Sequence, residues 1–283
     1  MTVLEVIQKS TEFLARKGVE SPRRHAELLL AHVLKLPRMK LYLNFERVLR
    51  DAETDATREL VRRRSLREPL QHIIGMAQFA EWEMAVSRHV LVPRPETELL
   101  AEAGWQFLST LNSQPAALDF GTGSGCIAIA LAAKCPNARV TALDVSTDAL
   151  VVARQNAERN GVGERIEFVE SDGFTALATA QRFDLIISNP PYIPSAEIAT
   201  LQPEVRDFDP HNALDGGADG LDFYRRLADE ATDRLEVGGK LMVEFGDGQA
   251  SSLEKLFTEQ KWIVEAVRAD YSQRQRILIA RRD

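Results

Sequence analysis

At 283 residues, with 45% hydrophobic and 27% charged side chains, the chain is long enough for two cores and has the composition of an ordinary globular protein. No stretch approaches the roughly 18 apolar residues of a membrane span, and Met1 to Ser10 carries Glu5 and no signal-like apolar core, so a soluble, cytoplasmic protein without membrane association is expected. The net charge of −7 is uneven: residues 1–75 hold 15 Lys and Arg against 10 Asp and Glu, the remainder 20 against 32, and so acidic a larger part would repel a nucleic-acid duplex but draw a basic protein partner.

Val3, Leu4, Ile7, Phe13 and Leu14 recur at helical spacing and Gly18 follows as a stop, which predicts a first helix over 2–17. Ser21-Pro22 reads as an N-cap with proline at the first helical position, ahead of Ala26, Leu29, Leu30, Val33 and Leu34. A short element at 38–44 and a helix over 51–67 complete a small helical domain, residues 1–68. Arg62-Arg63-Arg64 reads as a solvated helix face. His25 and His32 share a face seven residues apart, without a third ligand nearby, and neither cysteine, Cys126 or Cys135, lies near a ligand set. No metal and no disulfide framework are expected.

From Glu68 the texture changes. Pro69 to Gly75 and Phe79 to Val86 read as a β-hairpin with short strands, so residues 69–92 are taken as a linker. Val92-Pro93-Arg94-Pro95-Glu96-Thr97-Glu98 follows. Thr97 or Glu96 would cap a helix over 98–111, while Pro93 and Pro95 would stiffen a wall beside a site.

Residues 116–283 alternate apolar β-runs, near 116–120, 138–143, 165–170, 183–188, 239–245, 261–267 and 275–280, with helical patterns near 124–134, 147–160, 220–236 and 249–260. This alternation predicts an α/β fold with a mostly parallel sheet covered on both faces. Pro203 to Gly220, rich in Asp, Pro and Gly, reads as a loop long enough to act as a lid or substrate-binding segment.

Asp119-Phe120-Gly121-Thr122-Gly123-Ser124-Gly125 lies between the first of these strands and its helix. Glycines there permit a sharp turn and a close ligand approach. The next strand ends at Asp144, 19 residues past Gly125, where a carboxylate meets ribose hydroxyls in nucleotide-binding α/β folds. A third strand ends at Asp172-Gly173. Gly-x-Gly-x-Gly beside Asp119 departs from the dinucleotide fingerprint Gly-x-Gly-x-x-Gly; an acidic residue there suits a cationic ligand, and S-adenosylmethionine carries an ammonium and a sulfonium.

The fourth strand stops at Asn189-Pro190-Pro191-Tyr192. Prolines fix φ and remove amide donors, so the turn offers carbonyl oxygens, the Asn189 side-chain oxygen and a flat Tyr192 ring. That set suits a planar –NH2 group, either a carboxamide or an exocyclic base amine.

Together these motifs resemble the adenosylmethionine-dependent amino-methyltransferases. With Pro69 to Gly75, Val92 to Glu98 and the helical amino-terminal domain, the chain resembles, over nearly its whole length, the bacterial protein-(glutamine-N5) methyltransferases of peptide chain release factors. The resemblance implies a Rossmann-like class I methyltransferase domain, residues 93–283, with a seven-stranded, mostly parallel sheet. It implies methylation of the glutamine side-chain amide in the Gly-Gly-Gln motif of class I release factors, which tunes translation termination. S-adenosylmethionine would be held by Asp119, Gly121, Thr122, Gly123, Ser124, Gly125, Asp144, Asp172, Gly173 and Asn189. The glutamine would be held by Asn189, Pro190, Pro191 and Tyr192, with Asn189, Pro190 and Tyr192 carrying the catalysis. The helical domain would help grip the release factor, and a monomer without direct nucleic-acid binding is expected. Gly173 stands where that family's pattern often has an aromatic residue, which leaves adenine packing to Phe174 or another side chain. The alternative is an amino-methyltransferase acting on adenine N6 or guanine N2 of a nucleic acid.

Overall fold

The computed structural model describes residues 1–111 and 114–282. It divides into two compact units, Met1–Met76 with Gln202–Phe208, and Ala77–Leu201 with Asp209–Asp283.

The first unit is helical. Helix Val3–Arg16 opens on a capping box in which Thr2 Oγ1 accepts from the Glu5 amide while the Glu5 carboxylate accepts from the Thr2 amide, so two otherwise orphaned donors are satisfied. Its buried stripe, Val3, Val6, Ile7 and Leu14, meets Leu29, Leu30 and Ala31 of helix Pro22–Leu34 in two small apolar clusters. Ser21 sits at the position expected of an N-cap, but it is left-handed, with φ 48°, and its side chain makes no capping bond. Pro22 alone presets that start.

Two expectations fail here. Residues 70–74 are a helix, not a strand. Leu70 and Ile73 are both buried at helical spacing, Pro69 supplies a preset φ, and Gly75, at φ 79°, closes the turn. Arg64 is not on a solvated face. Arg62 pairs with Glu59 and Arg63 with Glu68, whereas Arg64 is 3% exposed and donates to Glu204 at 2.6 Å and to His25 Nδ1 at 3.1 Å. Arg67 donates to the same Glu204 carboxylate at 2.7 Å.

A hairpin of β1 (Met76–Phe79) and β2 (Trp82–Ala85) begins at the last residue of the first segment and leads the second unit; it is shorter than expected because residues 70–74 are helical. It continues into a seven-stranded sheet: β3 (Ala116–Phe120), β4 (Arg139–Asp144), β5 (Ile166–Glu170), β6 (Phe183–Ser188), β7 (Leu235–Glu244), β8 (Ile263–Ala269) and β9 (Gln275–Arg281). The strand order is β5-β4-β3-β6-β7-β9-β8. The five adjacent strands β5, β4, β3, β6 and β7 run parallel, and β9 enters antiparallel between β7 and β8. Buried apolar clusters cover both faces, which is why residues 185–187 of β6 and residues 241–243 of β7 read as continuous apolar runs.

Strand β3 is the switch point, with β4 on one side and β6 on the other; at such points an open α/β sheet forms a crevice outside its carboxyl ends. The predicted helix over 220–236 is shorter, Asp222–Glu230, followed by a 3-10 turn at Thr232–Arg234. Strand β7 correspondingly starts earlier than expected, and its register against β6 shifts between Phe183 and Leu185.

Candidate active site

The crevice lies at the carboxyl ends of β3, β4, β5 and β6, entirely within the second unit. Its floor is the glycine loop. Gly121, Gly123 and Gly125 have φ of 73°, 54° and 82°, conformations that L side chains resist. A Cβ on Gly121 or Gly123 would meet nothing within 4 Å, whereas one on Gly125 would lie 3.0 Å from Ala153 Cβ. The first two glycines thus shape an open face, and the third lets helix Thr147–Arg159 pack closely. The Gly121 and Thr122 amides both donate to the Leu143 carbonyl at 2.8 Å, which stitches the loop to the neighbouring strand.

Asp144, at the end of β4, lines the crevice. Its Oδ2 accepts from the Gly123 amide at 2.8 Å and its Oδ1 from the Ser146 amide at 2.9 Å. Each oxygen keeps a lone pair, so two further donors, such as the hydroxyls of a ribose, can be accepted. Burial raises its carboxyl pKa, and the amides oppose that shift.

Asp119 is placed differently from Asp144. It is fully buried, does not line the crevice, and braces the loop from beneath: its Oδ2 accepts from Thr122 Oγ1 at 2.6 Å and from the Ala128 amide at 3.0 Å. Its Oδ1 has no partner among the described residues. Burial pushes its pKa up from 3.8 to about 7 despite these bonds, with nearby Asp144 adding to the rise. A buried carboxyl with an unsatisfied oxygen fits a cationic ligand on the loop above it.

Asp172 and Gly173 also line the crevice. Asp172 is ion-paired with Arg226, whose Nε donates to Glu230 at 2.8 Å. A Cβ at Gly173 would come within 2.0 Å of Arg226 Nη2, so the guanidinium occupies the space that a larger residue would need. Phe174 packs on Phe120 with ring centroids 5.2 Å apart and does not line the crevice; Phe223 and Arg226 do.

Opposite lies Asn189, which lines the crevice together with Pro191; Pro190 and Tyr192, their neighbours in the turn, are not among the lining residues. The Tyr192 ring packs beside Gly246, where a Cβ would approach it to 3.0 Å, and burial pushes its phenol up to about 12, so it stays neutral. Residues 216–220 buttress the turn: a Cβ on Gly220 would lie 2.4 Å from the Tyr192 carbonyl oxygen, and one on Gly216 2.9 Å from that of Pro191. Residues 202–208 of the same loop cluster with the first unit. Among the described residues, no backbone N–H outside the strands donates to the Pro190 carbonyl.

The wall includes Pro93, as expected, but not Pro95, which instead opens the next helix, and the capping roles do not hold. Helix Pro95–Leu108 starts after Arg94, and neither Thr97 nor Glu96 is its cap. Thr97 is 2% exposed and lines the crevice, where its Oγ1 accepts from Asn189 Nδ2 at 3.0 Å and donates to Glu244 Oε2 at 2.7 Å. Glu244 ends β7 at 2% exposure. Sequence reasoning missed it, although a carboxylate closing the run Leu241-Met242-Val243 was a visible sign. Asn156 was missed too: fully buried, it donates to the Ser124 carbonyl at 2.9 Å and exchanges two hydrogen bonds with the Ala85 backbone, tying the loop to the hairpin.

Among known proteins, residues 5–75 match the family model described as PrmC N-terminal domain, and residues 100–202 that described as methyltransferase small domain. The chain is 46% identical over 257 residues to a release factor glutamine methyltransferase of Geobacter sulfurreducens, an alignment covering 91% of this chain and 88% of the relative. It is 49% identical to the protein of that name from Chlorobaculum tepidum, covering 88% and 87% respectively. In fold it is similar to a methyltransferase from Pyrococcus furiosus, with a TM-score of 0.51 at 23% identity over 71% of this chain and 89% of that one.

Proposed function

The chain belongs to the release factor glutamine methyltransferase family, and from that premise we propose that it transfers a methyl group from S-adenosylmethionine to the side-chain amide nitrogen of the Gly-Gly-Gln glutamine in class I release factors. Bound adenosylmethionine supplies an electrophilic methyl on a sulfonium, and the remaining chemistry falls to the chain. Asp144 is assigned to the ribose hydroxyls and the loop Gly121–Gly125 to the donor's cationic end, with Asp119 beneath it. Asp172 and Gly173 border the base.

A carboxamide nitrogen is a weak nucleophile because its lone pair is delocalised into the carbonyl. The Asn189 side-chain oxygen and the Pro190 carbonyl are assigned to accept its two N–H bonds, with Tyr192 and Pro191 packing around the amide. So held, the nitrogen would be presented to the methyl that bound adenosylmethionine supplies, with the thioether sulfur as leaving group and the surplus proton passing to water. Positioning of this kind is worth about 7–11 kcal/mol, and acceptors aimed at charge developing on nitrogen add to it.

The observation that supports this reading is the bonding of Asn189. Its Nδ2 is tied to Thr97, which leaves its oxygen as the group available to a substrate donor. The basic amino-terminal unit, matched by the PrmC N-terminal domain, is assigned to recognition of the release factor. No helix among the described residues is long and apolar enough to cross a membrane, and we place the protein, as a monomer, in the cytoplasm where its substrate acts.

The test incubates the protein with labelled adenosylmethionine and separate pools of release factor, ribosomal RNA and DNA. Label on the release-factor glutamine alone is the expected result; label on an adenine or guanine amine would overturn it.

A further inference from the structure

Asn189 can serve as an acceptor only if its amide is turned the right way, and in isolation the two orientations are close in energy because both ends hydrogen-bond. The crevice contains a device that chooses between them. An ionised carboxylate accepts hydrogen bonds and donates none. The Thr97 hydroxyl, 2.7 Å from Glu244 Oε2, must therefore point its single proton at Glu244. Its oxygen is then left only as an acceptor towards Asn189, and the group that faces it at 3.0 Å has to be the NH2. The polarity of the carboxylate is passed through one hydroxyl to one amide, and the Asn189 oxygen is forced to the substrate side.

We propose that Thr97 and Glu244 form a polarity relay that positions Asn189 with its oxygen towards the substrate amide, and that ionised Glu244 is the state in which the enzyme turns over. Both are positioning residues, acting through Asn189. The inference deepens the assignment of Asn189 made above and rests on it.

Protonation of Glu244 reverses the logic. A neutral carboxyl can donate to Thr97 Oγ1, the Thr97 proton is then free to point at Asn189, and the amide that accepts it turns its NH2 to the substrate, donor against donor. Glu244 is poised for this: burial, the largest influence, raises its pKa from 4.5 to about 7, while the Thr97 bond lowers it. The charged and titratable groups around it are Glu96, which raises it further, Arg276 and Arg94, which lower it, and Tyr192, Tyr224 and Cys126. Those last three stay neutral near pH 7, because burial raises each above its ordinary value. Among the described residues, Glu244 is the one ionised group hydrogen-bonded to the hydroxyl.

The experiment compares the full-length wild type with Thr97→Val, Thr97→Ser and Glu244→Gln. It measures kcat on intact release factor from pH 5.5 to 8.5, the Kd of adenosylmethionine, and the Asn189 side-chain NH2 resonance by 15N–1H NMR, assigned by its loss in Asn189→Asp. Wild-type kcat falls towards tenfold per pH unit below about 7. Thr97→Val lowers kcat about a hundredfold, the scale of a mispositioned catalytic group, with Kd unchanged, and Thr97→Ser restores it to within a few fold. The Asn189 NH2 resonance titrates with the same midpoint, and that titration and the acid limb of kcat are both absent in Glu244→Gln. Thr97→Val turnover within threefold of wild type, or a limb and NH2 titration that persist in Glu244→Gln, would overturn the relay. If Thr97→Val fails to fold, the wild-type and Glu244→Gln titrations decide alone. A wild type that leaves release factor unlabelled while its Asn189 NH2 still titrates through Glu244 would refute the substrate and leave the relay standing.

Discussion

Asp144 Oδ2 accepts a hydrogen bond from the Gly123 amide at 2.8 Å, so the carboxylate that ends one strand also holds the crest of the glycine loop that follows another. The loop-shaping role and the proposed contact with the ribose thereby fall to one side chain. Asp144→Ala should raise the Kd for adenosylmethionine roughly ten- to a hundredfold, the range of hydrogen bonds to a charged group, and Asp144→Asn, which keeps one acceptor oxygen, should lose less. Calorimetric titration checks both. An unaltered Kd in Asp144→Ala would remove Asp144 from the cofactor site.

Asn189 separates from Asp144 by the step it affects. Replacing it with alanine deletes the acceptor proposed for the substrate nitrogen, an interaction that would matter most as charge develops. We expect Asn189→Ala to lower kcat by about 10²- to 10³-fold, while the Kd for adenosylmethionine moves by less than the Asp144→Ala change. Single-turnover methyl transfer with saturating release factor makes the comparison, and a turnover equal to wild type would end the assigned role.

How much of this was legible beforehand follows a physical boundary. The loop Gly121–Gly125, Asp144 and the Asn189–Tyr192 turn each sit within a few residues of a strand end, so local pattern and chain order locate them, and the sheet order in which they meet follows from ordinary α/β connectivity. Thr97 and Glu244 stand 147 residues apart, and only the fold joins them; with no partner in view, the threonine looked like a helix cap. The same holds for Arg64, whose carboxylate partner lies 140 residues onward, so that a charge run resembled a solvated face. Residues 70–74 failed for a local reason: five residues are too few for periodicity to separate strand from helix.

Asp119 gives a prediction about protons. Its pKa in the unliganded fold is raised from 3.8 to about 7. Between those values the folded state holds a proton that the unfolded chain has released, so this group makes the unliganded protein less stable as pH rises through that window. A cation seated on the loop above favours the ionised form, lowers the pKa and expels the proton. Binding of adenosylmethionine at pH 6.5 should therefore release part of a proton, and affinity should rise with pH up to about 7 and flatten above it. Titrations in buffers of different ionisation enthalpy measure the release. Proton uptake, or affinity independent of pH, would show that Asp119 does not face the bound charge.

In the first unit the sign is opposite. His25 Nδ1 accepts from Arg64 Nε at 3.1 Å, a bond that only a neutral imidazole can accept. Burial first, then Arg64 and Arg24, lower its pKa from 6.5 to about 4. Unfolded chains bind a proton there below 6.5 and the folded unit does not, so the stability this group contributes is fully present above 6.5 and is lost as pH falls from 6.5 towards 4. Glu204, whose pKa is lowered by Arg67 and Arg64 against the cost of its burial, extends the loss to lower pH. Hydrogen exchange of helix Asp51–Ser65 should show protection declining across that window in the wild type, and a flatter profile in His25→Gln, which keeps an acceptor for Arg64 but cannot titrate. At pH 7, Glu204→Ala should cost this unit about 3 kcal/mol, because it strands the buried Arg64 guanidinium without its carboxylate. Equal pH slopes in wild type and His25→Gln, or protection unchanged in Glu204→Ala, would mean that the cluster does not hold the helices together.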